Sequence, residues 1–474
     1  MKRSFMFLSS FVLILSLSAC KTTPGTSASG SSASASAFKV RGFQSQVLPN
    51  GLTILWIEDQ SLPYVSLQMM IPSGSSQDPA GKEGLAGFTG SLLEKGTSKH
   101  SAVQISENLE QIGSEFGVDV QPDYTMVSIS ALSFHKDTAL GTFEEILETP
   151  TFPERELNRH RGIVAAGLRK LADRPGEFSD YLFARFLYGE HPYGHDAAGT
   201  LRSIRGLKRA DVRNFYMRHF APSGAIVAVV GQYDEAWKEK VVKTFSDWKQ
   251  EAASGKEVPD FPRWKGTEIL LVDREDLNQA QIKIGFEGVP RNVPEYMEVR
   301  AALKILGESF GSRLFDEIRE KRGLTYGIYA WFDPRAKAGP MGISTFTRTD
   351  KIEETVKETL NTYRRFVKEG VTDQEVSEVK AVIRGQFPRM FETPEALARQ
   401  ILLLKRYDIS TDYLTHYDQL VGNMTRESIN AAIRKYFTPE NLRILVYAPK
   451  SKAAPALRPI GKLNVKPYKE FLTY

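Results

Sequence analysis

From Phe38 onward, short apolar runs rich in β-branched residues alternate with longer stretches whose apolar positions recur every three or four residues. The first rhythm predicts strands and the second amphipathic helices. Leu52–Ile57 (LTILWI) and Val65–Ile71 (VSLQMMI) are strand runs, bounded by Asn50-Gly51 and Pro72-Ser73-Gly74. Helical spacing covers 102–113, 154–171 and 176–187. A helix ending in Phe215–Phe220 (FYMRHF) then meets Ala221-Pro222 and gives way to the strand Ala225–Val230 (AIVAVV).

The second half repeats this order. Arg434–Pro439 (RKYFTP) closes a helix, and the strand Leu442–Tyr447 (LRILVY) follows. Phe220 and Phe437, like Pro222 and Pro439, lie 217 residues apart (437 − 220; 439 − 222). The helix that follows Phe152-Pro153 has a counterpart opening at Thr372, which forms a capping-box pair with Glu375. One offset shared by phenylalanine, proline and strand argues for duplication over chance. The chain therefore reads as α+β: two homologous domains at 38–250 and 263–474, each a mostly antiparallel sheet with helices on one face. The polar stretch 251–262, with its two prolines, reads as the interdomain linker.

The start of the chain follows neither rhythm. Residues 1–19 have a basic start and an apolar run, Phe5–Leu17, too short to span ~30 Å of hydrocarbon comfortably; they read as a secretory signal peptide. Leu17-Ser18-Ala19-Cys20 resembles the lipobox of bacterial lipoproteins, which implies cleavage before Cys20 and acylation of its sulfur. Lys21 in place of aspartate implies sorting to the outer membrane, facing the periplasm. Residues 20–37, small and polar beyond the lipidated cysteine, read as a flexible linker.

Of the 474 residues 41% are hydrophobic and 25% charged, which excludes wholesale disorder, collagen and coiled coil. Net charge is 62 − 57 = +5, or +3 once Lys2 and Arg3 leave with the signal, and no basic block is long enough to suggest nucleic acid. Cys20 is the single cysteine, so neither a disulfide scaffold nor a cysteine-rich metal site can form.

Gly84–Thr97 (GLAGFTGSLLEKGT) resembles the zinc-site segment of the pitrilysin/insulinase peptidases, the inverzincins, whose motif is H-x-x-E-H. In that family two histidines on one helical face bind zinc and the glutamate activates water. Here the flanks match, but Gly87, Gly90 and Ser91 stand in place of the histidine, the glutamate and the second histidine. The family's third ligand, a glutamate on a later helix, falls at Gly167 in Arg161–Arg169. These degenerate positions offer no imidazole or carboxylate, so no metal is expected on this chain. Three glycines within helices each cost ~1 kcal/mol relative to alanine; either their small size lets another chain approach or they mark neutral decay of a lost site. His191 and His195 are four apart, but Pro192 and Gly194 break the helix that would align them, so zinc at that pair is the weakest reading.

Residues 307–331 (GESFGSRLFDEIREKRGLTYGIYAW) match the same family most closely. They read as a helix ended by Gly323 and passing into a strand. The resemblance implies that an arginine and a tyrosine seven residues apart, Arg319 and Tyr326, reach the zinc site of another domain or chain and hydrogen-bond the scissile peptide. Charge grows on the carbonyl oxygen during attack, so fixed donors there stabilise the transition state more than the ground state. Arg322 is a rival for Arg319, and Arg313 reads as structural. The resemblance also implies an edge strand, Phe116–Gln121, that holds extended substrate, although the family often has asparagine where Gly117 stands.

The resemblance thus implies a non-catalytic subunit within a half-clamshell, paired with a homologous H-x-x-E-H chain that carries the zinc and acting on unfolded peptides. A membrane is a partner through the lipid anchor, and nucleic acid is not. The alternative is an inert peptidase-like scaffold or binding lipoprotein of the cell envelope.

Overall fold

The computed structural model describes residues 41–251 and 255–472. The signal peptide 1–19, Cys20 and the stretch to residue 37 lie outside the described residues, as do 252–254 of the linker stretch. Two six-stranded sheets carry the fold. The first contains β1 (Gln44–Val47), β2 (Thr53–Glu58), β3 (Tyr64–Ile71), β4 (Phe116–Val120), β5 (Thr125–Leu132) and β6 (Ile226–Gly231), in the order β1-β2-β6-β3-β5-β4. The second contains β7 (Glu268–Asp273), β8 (Gln279–Glu287), β9 (Ile328–Phe332), β10 (Pro340–Arg348), β11 (Arg443–Ala448) and β12 (Lys462–Pro467), in the order β12-β7-β11-β8-β10-β9.

The run β2-β6-β3-β5-β4 maps onto β7-β11-β8-β10-β9, with the parallel pair at the same place in each. Every other pair in these runs is antiparallel. Strands β6 and β11 begin 443 − 226 = 217 residues apart, the offset of Phe220 and Phe437. The sheets differ at their outer strand: β1 is antiparallel to β2, whereas β12 is parallel to β7. Between Asp247 and Glu268 the described chain forms no helix or strand.

Helices α1 (Leu85–Leu92) and α2 (Glu154–Lys170) pack on one face of the first sheet, where Phe88, Leu157 and Ala165 join Ile54, Leu67, Val127 and Val229 in the core. The opposite face is also apolar, which is why central strands such as β6 read as continuous hydrophobic runs instead of alternating ones. That face takes a helix from the other half of the chain. Helix α3 (Pro175–Tyr188), from the first half, covers Leu270, Val272, Leu445 and Tyr447 of the second sheet with Phe178, Leu182, Phe183 and Leu187. Helix α4 (Pro394–Arg406), from the second half, covers Leu55, Met70, Ala228 and Val230 of the first sheet with Leu397, Ile401 and Leu402. Asp180 of α3 also pairs with Lys283, which is buried on β8. At ~1.5–3 kcal/mol per buried Leu or Phe, this reciprocal exchange couples the halves strongly. The sequence pattern placed each sheet's own helices on one face; the second covered face is a structural addition to that picture.

Thr372 caps the helix Asp373–Gln386 by the capping box with Glu375. The segment before Gly323 departs from a regular helix: Phe315–Glu320 winds as a wider π-helical turn, Gly323 is left-handed (φ 60°), and the strand begins only at Ile328. Residues 324–327 therefore form a loop and not the start of a strand.

Candidate functional site

The two stretches that carry the resemblance occupy different surroundings. Helix α1 holds Gly87, Gly90 and Ser91, and α2 holds Gly167. The fully buried Asp78 carboxylate secures the start of α1, accepting from the backbone N–H groups of Gly84 (2.6 Å) and Ala86 (2.7 Å). A helix N-terminus leaves such donors without intrahelical partners, and an anion there is favourable. His195 Nε2 lies 3.0 Å from both Asp78 Oδ2 and Ser75 O. Burial alone would lower the His195 imidazole; the Asp78 carboxylate more than offsets this and holds it above its usual value.

This pair draws the 195–199 loop onto α1. A Cβ at Gly87 would stand 2.2 Å from the Ala197 carbonyl oxygen, closer than real Cβ atoms approach. At Gly90 it would meet Val118 Cγ1 at 2.9 Å and Val120 Cγ2 at 3.1 Å, side chains of β4. At Gly167 nothing lies within 4 Å. The expectation that these glycines admit another chain is thus corrected at two of three positions: the chain's own loop and own edge strand fill the space at Gly87 and Gly90. Gly167 alone stays open, and it lines a cavity of about 780 Å³ together with Val120, His195, Ala197 and Arg335.

Zinc does not fit these residues. Gly87, Gly90 and Gly167 carry no donor atom, and the Ala197 carbonyl occupies the space a histidine at 87 would need. Among the described residues no group of three or more His, Cys, Asp or Glu is placed to hold a metal ion. At His191 and His195, the weakest reading for zinc, both imidazoles are engaged by separate partners. His191 Nδ1 accepts from the Tyr193 N–H (3.0 Å) while its Nε2 donates to Pro259 O (3.0 Å), and His195 faces Asp78. The imidazoles serve separate local contacts across the Pro192–Gly194 turn. Strand β4, with Gly117, lies at the edge of the first sheet.

The second half presents the opposite condition. Arg319 and Tyr326 line one surface pocket of about 360 Å³, together with Gly323, Phe346 and Arg348. The π turn carries Arg319 and the irregular loop after Gly323 carries Tyr326, so both project from segments that pair with no neighbouring strand. Tyr326 is 81% exposed, and its hydroxyl makes no hydrogen bond among the described residues. The Arg319 guanidinium stacks over the Phe315 ring at 4.5 Å, and its nearest carboxylate, Glu320, stands 3.5 Å away. That contact is an ion pair through Nε, and the two Nη groups make no hydrogen bond or ion pair among the described residues.

The neighbouring arginines are committed elsewhere. Arg322 Nη2 pairs with Glu317 and Glu358, both at 3.0 Å. Arg313 grips Glu375 at 2.6 and 2.8 Å and donates to Gly370 O at 2.7 Å. Geometry therefore separates Arg319 from its rival Arg322. Sequence reasoning missed Asp78, Ala197 and Phe315. Asp78 and His195 are 117 residues apart, and neither motif nor spacing links them. Phe315, four residues before Arg319, could have been found from helical i,i+4 spacing.

Both stretches lie within ranges that match known families. A family model described as "Insulinase (Peptidase family M16)" matches residues 53–196, and one described as "Peptidase M16 inactive domain" matches 206–383. An uncharacterised zinc protease of Bacillus subtilis is 24% identical over 405 residues, covering 84% of this chain and 96% of that protein. One from Rickettsia bellii is 24% identical, covering 85% and 91%. Among solved structures, a peptidase M16 inactive domain from Pseudomonas fluorescens superposes with a TM-score of 0.80 at 27% identity, covering 86% of this chain and 98% of that one. The periplasmic protease PqqL of Escherichia coli shares the fold (TM-score 0.74, 18% identity), covering 87% of this chain and 46% of its own.

Proposed function

Because the chain belongs to the insulinase (M16) peptidase family, we propose that it is a non-catalytic subunit that completes the active site of a zinc-bearing homologue. Arg319 and Tyr326 are the residues it supplies. The observation that carries this reading is the contrast within one chain: an open arginine–tyrosine pocket in one half and a metal-site helix packed shut in the other. The Tyr326 phenol and the Arg319 guanidinium would donate to the carbonyl oxygen of a bound peptide. They would hold it in place and stabilise the negative charge that develops there, at a site the partner's metal completes. Substrates would be unfolded or extended peptides, since a carbonyl can reach such donors only when its backbone is free of internal hydrogen bonds.

The lipobox-like Leu17–Cys20 supports anchoring to the cell envelope, on the periplasmic face of the outer membrane. Among the described residues no helix is long and apolar enough to cross a membrane; the attachment proposed is a lipid on Cys20. The test is affinity capture of the native lipoprotein from its own membranes. An H-x-x-E-H chain should accompany it in near-equal amount. Recovery with other envelope proteins but never with such a chain would favour the scaffold reading instead.

A further inference from the structure

At one end of the first sheet three exposed apolar side chains stand together. Leu62, in the turn between β2 and β3, is 61% exposed; Leu132 and Phe134, at the end of β5, are 47% and 72% exposed. Backbone pairing makes them neighbours: Leu132 lies opposite Tyr64 in register, and the Ser133 N–H donates to Pro63 O at 2.8 Å. Ser133 Oγ donates to Gln232 Oε1 at 3.0 Å, which ties the surface to the end of β6. Single exposed apolar residues need no explanation, but a fixed cluster does. Around it Lys136 pairs with Asp234, Lys238 with Glu235 and Lys240 with Asp137, and the Glu395 carboxylate meets the Tyr64 hydroxyl. Nothing here selects a highly charged partner.

The described chain starts at the same end. Arg41 Nη1 pairs with Asp59 Oδ2 at 2.8 Å, and the Asp59 N–H donates to Gly231 O, next to Gln232. Cys20 precedes Arg41 by 41 − 20 = 21 residues, a length that can span at most about 70 Å. An acyl chain on Cys20 would therefore keep this end of the sheet within about 70 Å of the bilayer.

We propose that this end of the first domain docks on the lipid bilayer, with Leu62, Leu132 and Phe134 entering the interfacial region. The inference rests on the lipid-anchor reading above. Tethering raises the effective concentration of the patch at the membrane, so a surface too small to capture vesicles alone suffices for an anchored chain. An aromatic ring flanked by aliphatic side chains suits the boundary between headgroups and acyl chains.

The experiment uses the full acylated chain on vesicles of phosphatidylethanolamine and phosphatidylglycerol. Cys20 is the only cysteine and its sulfur carries the lipid, so His135→Cys introduces one labelling site beside Phe134 for an environment-sensitive fluorophore. Brominated lipid should quench this label several-fold more than the same label at Val103→Cys, with no dependence on salt. Adding Leu62→Asp and Phe134→Asp should abolish the difference while the lipid keeps the chain on the vesicles. Equal quenching at both positions would overturn the docking. Concentration-dependent shielding of the His135→Cys label without vesicles would also overturn it, marking the patch as a protein contact. The mass of the mature N-terminus reports separately on the anchor. An unmodified Cys20 removes the anchor reading and the docking with it, whereas an acylated chain with equal quenching removes the docking alone.

Discussion

In the first domain, helix α1 is closed over: the Ala197 carbonyl fills the space beside Gly87, and Val118 and Val120 rest on Gly90. In the second domain, built on the same strand order, Arg319 and Tyr326 stand at an open pocket. The difference separates residues retained for folding from residues that folding does not require. Gly87 is now a packing residue, because any side chain there would displace backbone. Tyr326 at 81% exposure buries little and contributes little to stability, so its replacement should leave the fold intact and be read in activity alone.

The largest effect should appear at the open pocket. In a mixture with a zinc-bearing homologue, Arg319→Ala or Tyr326→Phe should each lower the peptide hydrolysis rate by about 10²–10³-fold, with the melting temperature of this chain unchanged. Arg322→Ala should instead act weakly on stability, by about 0.2–1 kcal/mol, since Glu317 keeps Lys321 and Arg365 as partners. A reversal of those two phenotypes would reassign the functional arginine.

The closed corner should respond in stability alone. Gly87→Ala should cost about 1–3 kcal/mol in urea denaturation as the 195–199 loop is pushed away. The combined Gly87→His, Gly90→Glu, Ser91→His and Gly167→Glu chain should still bind no zinc by elemental analysis. His195→Ala should cost about 1–3 kcal/mol by leaving Asp78 without its partner. The His195 imidazole is held above its usual value in the fold. Its contribution is therefore complete below the unfolded value of about 6.5 and fades as pH rises through the folded value. The wild-type urea midpoint should fall over that range more than the midpoint of His195→Ala. The smallest effect is expected at Gly167, where nothing lies within 4 Å: Gly167→Ala should stabilise by up to about 1 kcal/mol through helix propensity.

These contrasts also mark how far the sequence could be read. Strands such as β2, β3, β6 and β11 and the Thr372 cap were legible because period and capping chemistry are local. The duplication was legible because Phe220/Phe437 and Pro222/Pro439 sit at matching helix-to-strand turns. The exchange of α3 and α4 was not, since an apolar helix face does not record which sheet it will cover. Nor was the closing of α1 over Gly87: a glycine in sequence reads the same whether a carbonyl presses on it, as at 87, or open space surrounds it, as at 167. The pairing of Asp78 with His195 depends on loops 117 residues apart and has no local signature. The spacing of Arg319 and Tyr326 was readable, but the preference for Arg319 over Arg322 required the ion pairs of the latter.

The most direct test measures hydrolysis of an unfolded peptide by this chain alone, by an H-x-x-E-H homologue alone and by the two combined. The account predicts that this chain alone cleaves nothing, and that the mixture cleaves far faster than the homologue alone and is stopped by a chelator. Chelator-sensitive cleavage by the isolated chain, with one bound zinc per molecule, would contradict it.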